Sequence, residues 1–258
     1  MSLSQNHIKK LASNLTLLSD IRRGVEKEGL RVNTDSFLSA TSHPRALGSA
    51  LCNEHVTTDY AEALLELITS PRQSAEELHT ELTHVHQFVA QNISDEVMWN
   101  QSMPAYLPSE ADIQIGWYGN SNTGLFKNIY RRGLAERYGK RMQCIAGVHY
   151  NYSLPDALWP LLETEGKTLQ EQRSNGYLAL IRNFTRYSWL LMYLFGASPI
   201  VSKDFLQGHD LPLEPIGPDS YCLPWATSLR MSNLGYQNKE AQAELQLCYN
   251  DLETFLLR

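Results

Sequence analysis

The chain has 258 residues, of which 43% are hydrophobic and 19% are charged, a composition typical of a globular protein with a substantial core. Its formal net charge of −6 argues against a nucleic-acid partner. The four cysteines form no CxxC pair, which argues against a structural zinc site and for a reduced, cytoplasmic protein. No signal peptide or membrane partner is expected, and the apolar run Trp189–Phe195, too short to span a bilayer, predicts a buried helix end.

Hydrophobic periodicity predicts helices and strands in irregular alternation. Helical spacing is found in residues 3–18, after Ser74, and in 123–138, 175–196 and 240–258. Strands are predicted at Gly24–Val32, Ala63–Thr69 and Gln143–Ser153. Because the connections are long and uneven, we predict an α+β fold with a mainly antiparallel sheet flanked by helices, in one domain spanning residues 1–258.

Acidic residues occur within the strand-like segments, where carboxylates are costly to bury. Glu26 and Glu28 are two positions apart in "GVEKEGLRV" and therefore share a strand face. Glu66 lies between two apolar residues of the next strand, and Asp59 just precedes that strand. A hard divalent cation such as Mg²⁺ would neutralise such a cluster. The alternatives are an exposed strand edge or ion pairs with nearby arginines, namely Arg22, Arg23 and Arg31.

A third strand-like segment, "MQCIAGVHYNYSLP", carries polar side chains at odd-numbered positions, which alternate with the even-numbered ones along a strand. Gln143, His149 and Asn151 would project from the same face of a continuous strand. This pattern predicts the wall of a polar cavity, with the solvated face of a sheet as the alternative.

Phosphate-binding loops of the familiar kinds are not found. Gly119 and Gly124 have P-loop spacing, but Leu125 follows where a lysine is required. Any bound phosphate would therefore need metal ions and arginines, and the candidates are Arg131, Arg132 and Arg230. For Arg131 and Arg132 the alternative is a solvated helix face.

Seven segments together resemble glutamate–cysteine ligase of the proteobacterial type. They are "RRGVEKEGLRV", "HPRALGSAL", "TTDYAEALLELIT", "SNTGLFKNIYRRGL", "GVHYNYSLP", "YLFGASP" and "ATSLRMSNLGY". The resemblance extends from about Ile21 to the last residue. It implies a glutamine synthetase-like fold, in which a curved, mainly antiparallel sheet forms a funnel with metal ions and ATP at its base.

The resemblance also implies a reaction, in which ATP phosphorylates the γ-carboxylate of L-glutamate and the amine of L-cysteine then displaces the phosphate. Mg²⁺, or Mn²⁺ in its place, would bind at the metal-site residues, which are Glu26, Glu28, Asp59, Glu66 and His149. Nucleotide and substrate contacts would come from a second set, namely Asn151, Gln143, Arg131 and Arg230. The pocket for the cysteine side chain would comprise Tyr60, Tyr130, Leu134 and Tyr236.

One departure from the family is large. Members of the family are longer, and their C-terminal half carries a further metal-binding glutamate and an arginine. The chain is therefore predicted to be the N-terminal part of a larger catalytic domain, with a missing C-terminal half as its partner. The alternatives are a related carboxylate–amine ligase with another acceptor, and a binding module without turnover.

Overall fold

The structure is a computed structural model that describes residues 5–196, 198–206, 212–229 and 249–256. Its α-helices are α1 (Gln5–Ala12), α2 (Leu15–Leu18), α3 (Ala75–Asn92), α4 (Asn122–Tyr138), α5 (Leu158–Leu161), α6 (Leu169–Phe195) and α7 (Leu252–Leu256). Its strands are β1 (Arg22–Val32), β2 (Val56–Thr58), β3 (Leu64–Ile68), β4 (Val97–Trp99), β5 (Val148–Ser153), β6 (Ile200–Ser202), β7 (Glu214–Pro215) and β8 (Ser220–Cys222). The predicted α+β fold is confirmed.

Strand β1 lies at the centre of the larger sheet. It pairs antiparallel with β3 and with β4, it also pairs with β5, and β2 extends the sheet beyond β3. A second sheet has the order β6-β8-β7 and is antiparallel throughout. The expectation of a mainly antiparallel sheet is therefore confirmed.

The two faces of the larger sheet are covered by different apolar clusters. Leu65 and Leu67 of β3 pack with buried residues of α3, whereas Leu64 belongs to a second cluster that includes Leu30 of β1. Side chains alternate along a strand, so Glu26 and Glu28 lie on the same face as Leu30. This face is consequently apolar towards one end of β1 and acidic towards the other.

Helix α3 forms as its sequence predicts. The Ser74 hydroxyl accepts a hydrogen bond from the backbone N–H of Glu77 at 3.0 Å, satisfying a free donor of the first turn. Leu78, Val85 and Val89 are buried at helical spacing. The helix therefore covers one face of the sheet and leaves the acidic face uncovered.

The predicted strand Gln143–Ser153 is wrong in its first half. Residues Met142–Cys144 form a 3₁₀ turn, and β5 begins only at Val148. The turn breaks the alternation of side chains, so Gln143 does not share a strand face with His149. Gln143 is instead buried, whereas His149 is exposed.

Two helix predictions also require correction. The single helix expected over residues 3–18 is broken after Ala12, where the side chain of Asn14 turns back to the Lys10 carbonyl at 2.9 Å. Helix α6 begins six residues earlier than predicted, because Thr168 and Glu171 form a reciprocal capping box at its start.

The apolar end of α6 is not buried, contrary to the prediction. Trp189, Tyr193 and Phe195 are 60%, 73% and 75% exposed. Consecutive apolar residues point to all sides of a helix, and the neighbouring described elements cover only part of its circumference. A large exposed apolar surface of this kind indicates an interaction site.

The chain divides into two compact units. One comprises residues 1–23, 152–196 and 237–258, and the other comprises residues 24–151 and 197–236. The single domain expected from the sequence stays a prediction. In the described ranges, no helix is both long enough and apolar enough to cross a membrane.

The start of α4 requires a glycine at position 124. A Cβ there would lie 2.6 Å from the Tyr118 carbonyl oxygen and 2.7 Å from that of Gly119. We expect Gly124→Ala to lower the free energy of unfolding by about 1–3 kcal/mol, as overpacking typically does. Gly133→Ala in the same helix is the control. Its Cβ would meet only Arg137, at 4.0 Å, so a gain of up to about 1 kcal/mol is expected. Urea denaturation measures both, and equal effects would contradict this account.

Candidate metal and phosphate site

The acidic face of the sheet brings three potential metal ligands together. The pairing of β1 with β3 places Glu28 opposite Glu66, and Glu26 lies two residues from Glu28 on the same face. One ligand atom from each of Glu26, Glu66 and His149 lies within 4.8 Å of the other two. The sequence placed these three residues in one site, and the structure brings their ligand atoms together.

Strand β5 is joined to the carboxylates of β1 through its polar side chains. His149 Nδ1 lies 3.1 Å from a Glu26 oxygen, and Nε2 lies 3.8 Å from a Glu28 oxygen. Asn151 donates a hydrogen bond to the other Glu26 oxygen at 2.9 Å. The backbone N–H of Gly147 donates to Glu28 at 2.6 Å. These contacts orient both glutamates, as supporting partners orient the ligands of a metal.

Negative charge accumulates at this site. Burial, followed by the charges of Asp59, Glu26 and Glu28, raises the pKa of Glu66 from 4.5 to about 7. A bound divalent cation would relieve this repulsion and favour the ionised form. Carboxylate oxygens suit both Mg²⁺ and Mn²⁺, so the glutamates that converge here fit either ion.

Arg31, one of the alternative partners considered for the glutamates, pairs elsewhere. Its guanidinium is fully buried and lies 2.6 Å from Glu96. It also donates to the hydroxyl of Thr41 at 2.6 Å and to the Thr41 carbonyl at 2.8 Å. The alternative of an ion pair between Arg31 and Glu26 or Glu28 is therefore wrong.

Arg131 is not on a solvated helix face, the alternative left open by its sequence. Its Nε donates to the backbone carbonyl of Asp59, and Nη1 donates to the Lys127 carbonyl at 3.1 Å. Its guanidinium carbon lies 4.6 Å from the ring centroid of Tyr118. Arg131 thus lies beside Asp59, and its role as a phosphate contact stays a prediction.

The other predicted pocket residues are only partly brought together. Tyr60 is 1% exposed in the same apolar cluster against which Leu134 packs, whereas Tyr130 is 55% exposed. Gln143 also lies in the interior. Arg230 and Tyr236 lie outside the described residues.

Comparison with known proteins decides the family. The family profile described as glutamate–cysteine ligase matches residues 7–258. The chain belongs to the glutamate–cysteine ligase family. The relative from Bordetella petrii is 60% identical over 253 residues, and the relative from Pseudomonas putida is 53% identical over 256 residues, each alignment covering 98% of this chain.

Two solved structures extend the comparison. The glutamate–cysteine ligase of Francisella tularensis, determined in complex with AMP, is 38% identical with a TM-score of 0.84 over 92% of this chain. A bifunctional glutathione synthetase from Pasteurella multocida is 30% identical with a TM-score of 0.81 over 98% of this chain. The matched part is 46% of the first and 31% of the second.

The chain is shorter than the members of the family that it matches. It covers 48% of the Bordetella petrii relative and 49% of the Pseudomonas putida relative. The chain thus spans about half the length of the curated relatives it matches.

Sequence reasoning missed Glu62, a buried carboxylate that contacts the loop before α4. Glu62 is 7% exposed, and its two oxygens accept backbone N–H groups of His43 at 2.8 Å and Trp117 at 2.7 Å. A cavity of about 440 Å³ lies beside it. The alternation of side chains along β3 could not predict Glu62, because Glu62 precedes that strand. An acidic residue within the apolar segment "YAEALL" was nevertheless an available signal.

Proposed function

We propose that the chain provides the N-terminal part of the active site of a glutamate–cysteine ligase. The enzyme would use ATP to convert the γ-carboxylate of L-glutamate to an acyl phosphate. The amine of L-cysteine would then attack that carbonyl and release phosphate, giving γ-glutamylcysteine in the first step of glutathione synthesis. The observation that carries this proposal is the convergence of Glu26, Glu66 and His149 in a chain of this family.

The carboxylates Glu26, Glu28 and Glu66 would hold Mg²⁺ together with His149, and Asp59 would add charge beside them. Mg²⁺ would supply neutralisation of the phosphate oxygens, which phosphoryl transfer between anions requires. The second set of contacts to nucleotide and substrate is proposed for Asn151, Gln143, Arg131 and Arg230, and the cysteine pocket for Tyr60, Tyr130, Leu134 and Tyr236.

The side chains of the chain have separate tasks in this reaction. His149 and Asn151 fix the two oxygens of Glu26, and the Gly147 N–H fixes Glu28, so these carboxylates need little reorganisation when charge develops. Arg131 and Arg230 would bind phosphate or substrate carboxylate as permanent cations. The buried position of Tyr60 supports an apolar floor for the acceptor pocket.

The exposed end of α6 supports a partner for this chain. Its tryptophan, tyrosine and phenylalanine side chains form an apolar surface too large for an ordinary solvated helix. The partner that we propose is the remaining half of the relatives' length. The chain alone would then bind metal and yet turn over slowly or not at all.

The test is γ-glutamylcysteine formation with ATP, Mg²⁺, L-glutamate and L-cysteine. We expect little product from the chain alone. Adding a separately expressed C-terminal half of the Bordetella petrii relative should raise the rate at least about tenfold, since association completes the site by mass action. Glu66→Gln in the same mixture should abolish the gain.

Three outcomes separate the candidate functions. ADP release that requires another amine in place of L-cysteine would favour a related carboxylate–amine ligase. Rapid turnover by the chain alone would contradict the need for a partner. If the two halves associate and bind nucleotide without forming product, the proposed ligase activity is wrong.

A further inference from the structure

Tyr118 is a buried tyrosine that contacts both the segment carrying Asp59 and helix α4. It is 5% exposed, and its hydroxyl lies within hydrogen-bond distance of the backbone carbonyls of Thr58 and Asp59, the latter at 3.0 Å. The hydroxyl has a single proton to donate and both neighbours are acceptors. Its hydrogen bonding is therefore directed entirely at the segment that carries Asp59.

The ring of Tyr118 faces cations from α4. The guanidinium carbon of Arg131 lies 4.6 Å from the ring centroid, and Lys127 Nζ lies 5.0 Å from it. A cation at this distance is attracted to the face of an aromatic ring, more strongly when partly removed from water. The same side chain thus contacts Arg131 through its ring and Asp59 through its hydroxyl.

The contacts around this tyrosine converge on one carbonyl. The Asp59 carbonyl accepts from the Tyr118 hydroxyl and also from Arg131 Nε. Two further backbone hydrogen bonds connect the neighbouring segments, from Gly116 N–H to the Tyr60 carbonyl at 2.7 Å and from Glu62 N–H to the Gln114 carbonyl at 2.9 Å. These hydrogen bonds therefore hold the backbone before β3 and the loop before α4 in a fixed arrangement.

We propose that Tyr118 is a positioning residue that fixes Asp59 and Arg131 relative to each other. Asp59 lies outside the set of three converging ligand atoms, yet its negative charge raises the pKa of Glu66. Displacing the Asp59 backbone would move that charge away from the cation. The effect on metal binding rests on the proposed function, whereas the effect on the backbone does not.

The variant that tests this is Tyr118→Phe, which removes the hydroxyl and keeps the ring over which Arg131 lies. The control is Tyr106→Phe, because Tyr106 is half-buried and stacks on Phe37 with ring centroids 4.9 Å apart, outside the strands of the sheet. Both variants lose one hydroxyl group from a partly or fully buried ring. Only the first loses a contact with the Asp59 segment.

Hydrogen exchange measures the backbone effect. In Tyr118→Phe the amides of Asp59, Glu62 and Gly116 should exchange about tenfold faster, the change expected from one ordinary hydrogen bond. Amides of α3 should be unchanged, and Tyr106→Phe should leave all of these rates as they are. Unchanged exchange at Asp59 would overturn the proposal. So would a uniform loss of protection that includes α3, because the hydroxyl would then serve general stability.

The consequence for the site is measured as Mn²⁺ affinity, monitored through the electron paramagnetic resonance signal of the free ion. Tyr118→Phe should weaken binding about tenfold, as loss of a supporting partner commonly does. Faster exchange at Asp59 with unchanged Mn²⁺ affinity would overturn the positioning role. If the unmodified chain binds no Mn²⁺, the proposed metal site is wrong, and the exchange rates alone decide whether Tyr118 holds this backbone.

Discussion

Replacing Glu66 with glutamine is expected to weaken Mn²⁺ or Mg²⁺ binding by at least about a hundredfold, since loss of a mere supporting partner already costs about 10–100-fold. The change keeps the size of the side chain and removes the charge that converges with Glu26 and His149. Glu76→Gln is the matched control, because Glu76 is exposed at the start of α3, which packs on the other face of the sheet. Calorimetric titration of both variants measures the difference.

The same titrations at several pH values sharpen this test. A proton competes with the metal for Glu66, whose pKa in the metal-free protein is raised to about 7. Affinity should therefore increase as the pH rises through 7 and level off above it. Without metal, the free energy of unfolding should change with pH in the opposite direction. The folded protein holds this proton more tightly than the unfolded chain, whose carboxyl has the ordinary pKa of 4.5. That contribution to stability is lost as the pH rises from 4.5 to 7. If Glu66→Gln binds metal as tightly as Glu76→Gln does, Glu66 is not a metal ligand.

The second large effect is on folding. Arg31→Met should lower the free energy of unfolding by about 3–5 kcal/mol, because it leaves the carboxylate of Glu96 without its buried cation. The side chain of Arg31 is inaccessible to solvent and that of Glu96 is only 15% exposed. Arg31 additionally donates to the Glu62 carbonyl at 3.3 Å, so its loss also releases the segment before β3.

Arg72→Met provides the comparison for this stability effect. Arg72 pairs with Glu81 at 2.8 Å, but its side chain is 44% exposed. Water can replace the lost partner, so the expected cost is much smaller than that of Arg31→Met. Urea denaturation followed by tryptophan fluorescence measures both variants. A difference of less than about 1 kcal/mol between them would show that the Arg31 pair contributes no more than an exposed pair.

Local patterns predicted the elements whose apolar residues recur with the period of a strand or of a helix. Strands β1 and β3 and helix α3 were predicted because alternation and helical spacing directly reflect which face packs against the core. The sharing of one face by Glu26 and Glu28 follows from the same alternation. The position of Glu66 next to these two residues could not be predicted in this way, because the register between two strands depends on pairing between distant parts of the chain.

Other features could not be predicted because they depend on contacts distant in sequence. Gln143 was misplaced because a 3₁₀ turn interrupts an apparently continuous strand. Tyr118 was missed because its hydroxyl donates to the Thr58 carbonyl, 60 residues away. Glu62 was missed although its position in an apolar segment was an available signal. The end of α6 was expected to be buried on composition alone, which does not tell whether another element covers that face.

The pairing of Glu28 with Glu66 would make the proposed metal site sensitive to how the sheet is assembled. Side chains alternate with a period of two, so a slip of one residue between β1 and β3 would turn Glu66 towards α3 and leave Glu26 without it. Two opposed carboxylates also repel, which disfavours the native register while no cation is bound. A divalent ion would bind only the chains in which the strands have paired correctly, and mass action would draw the remaining chains towards that pairing. The ion proposed for catalysis would in this way also select the correctly folded sheet.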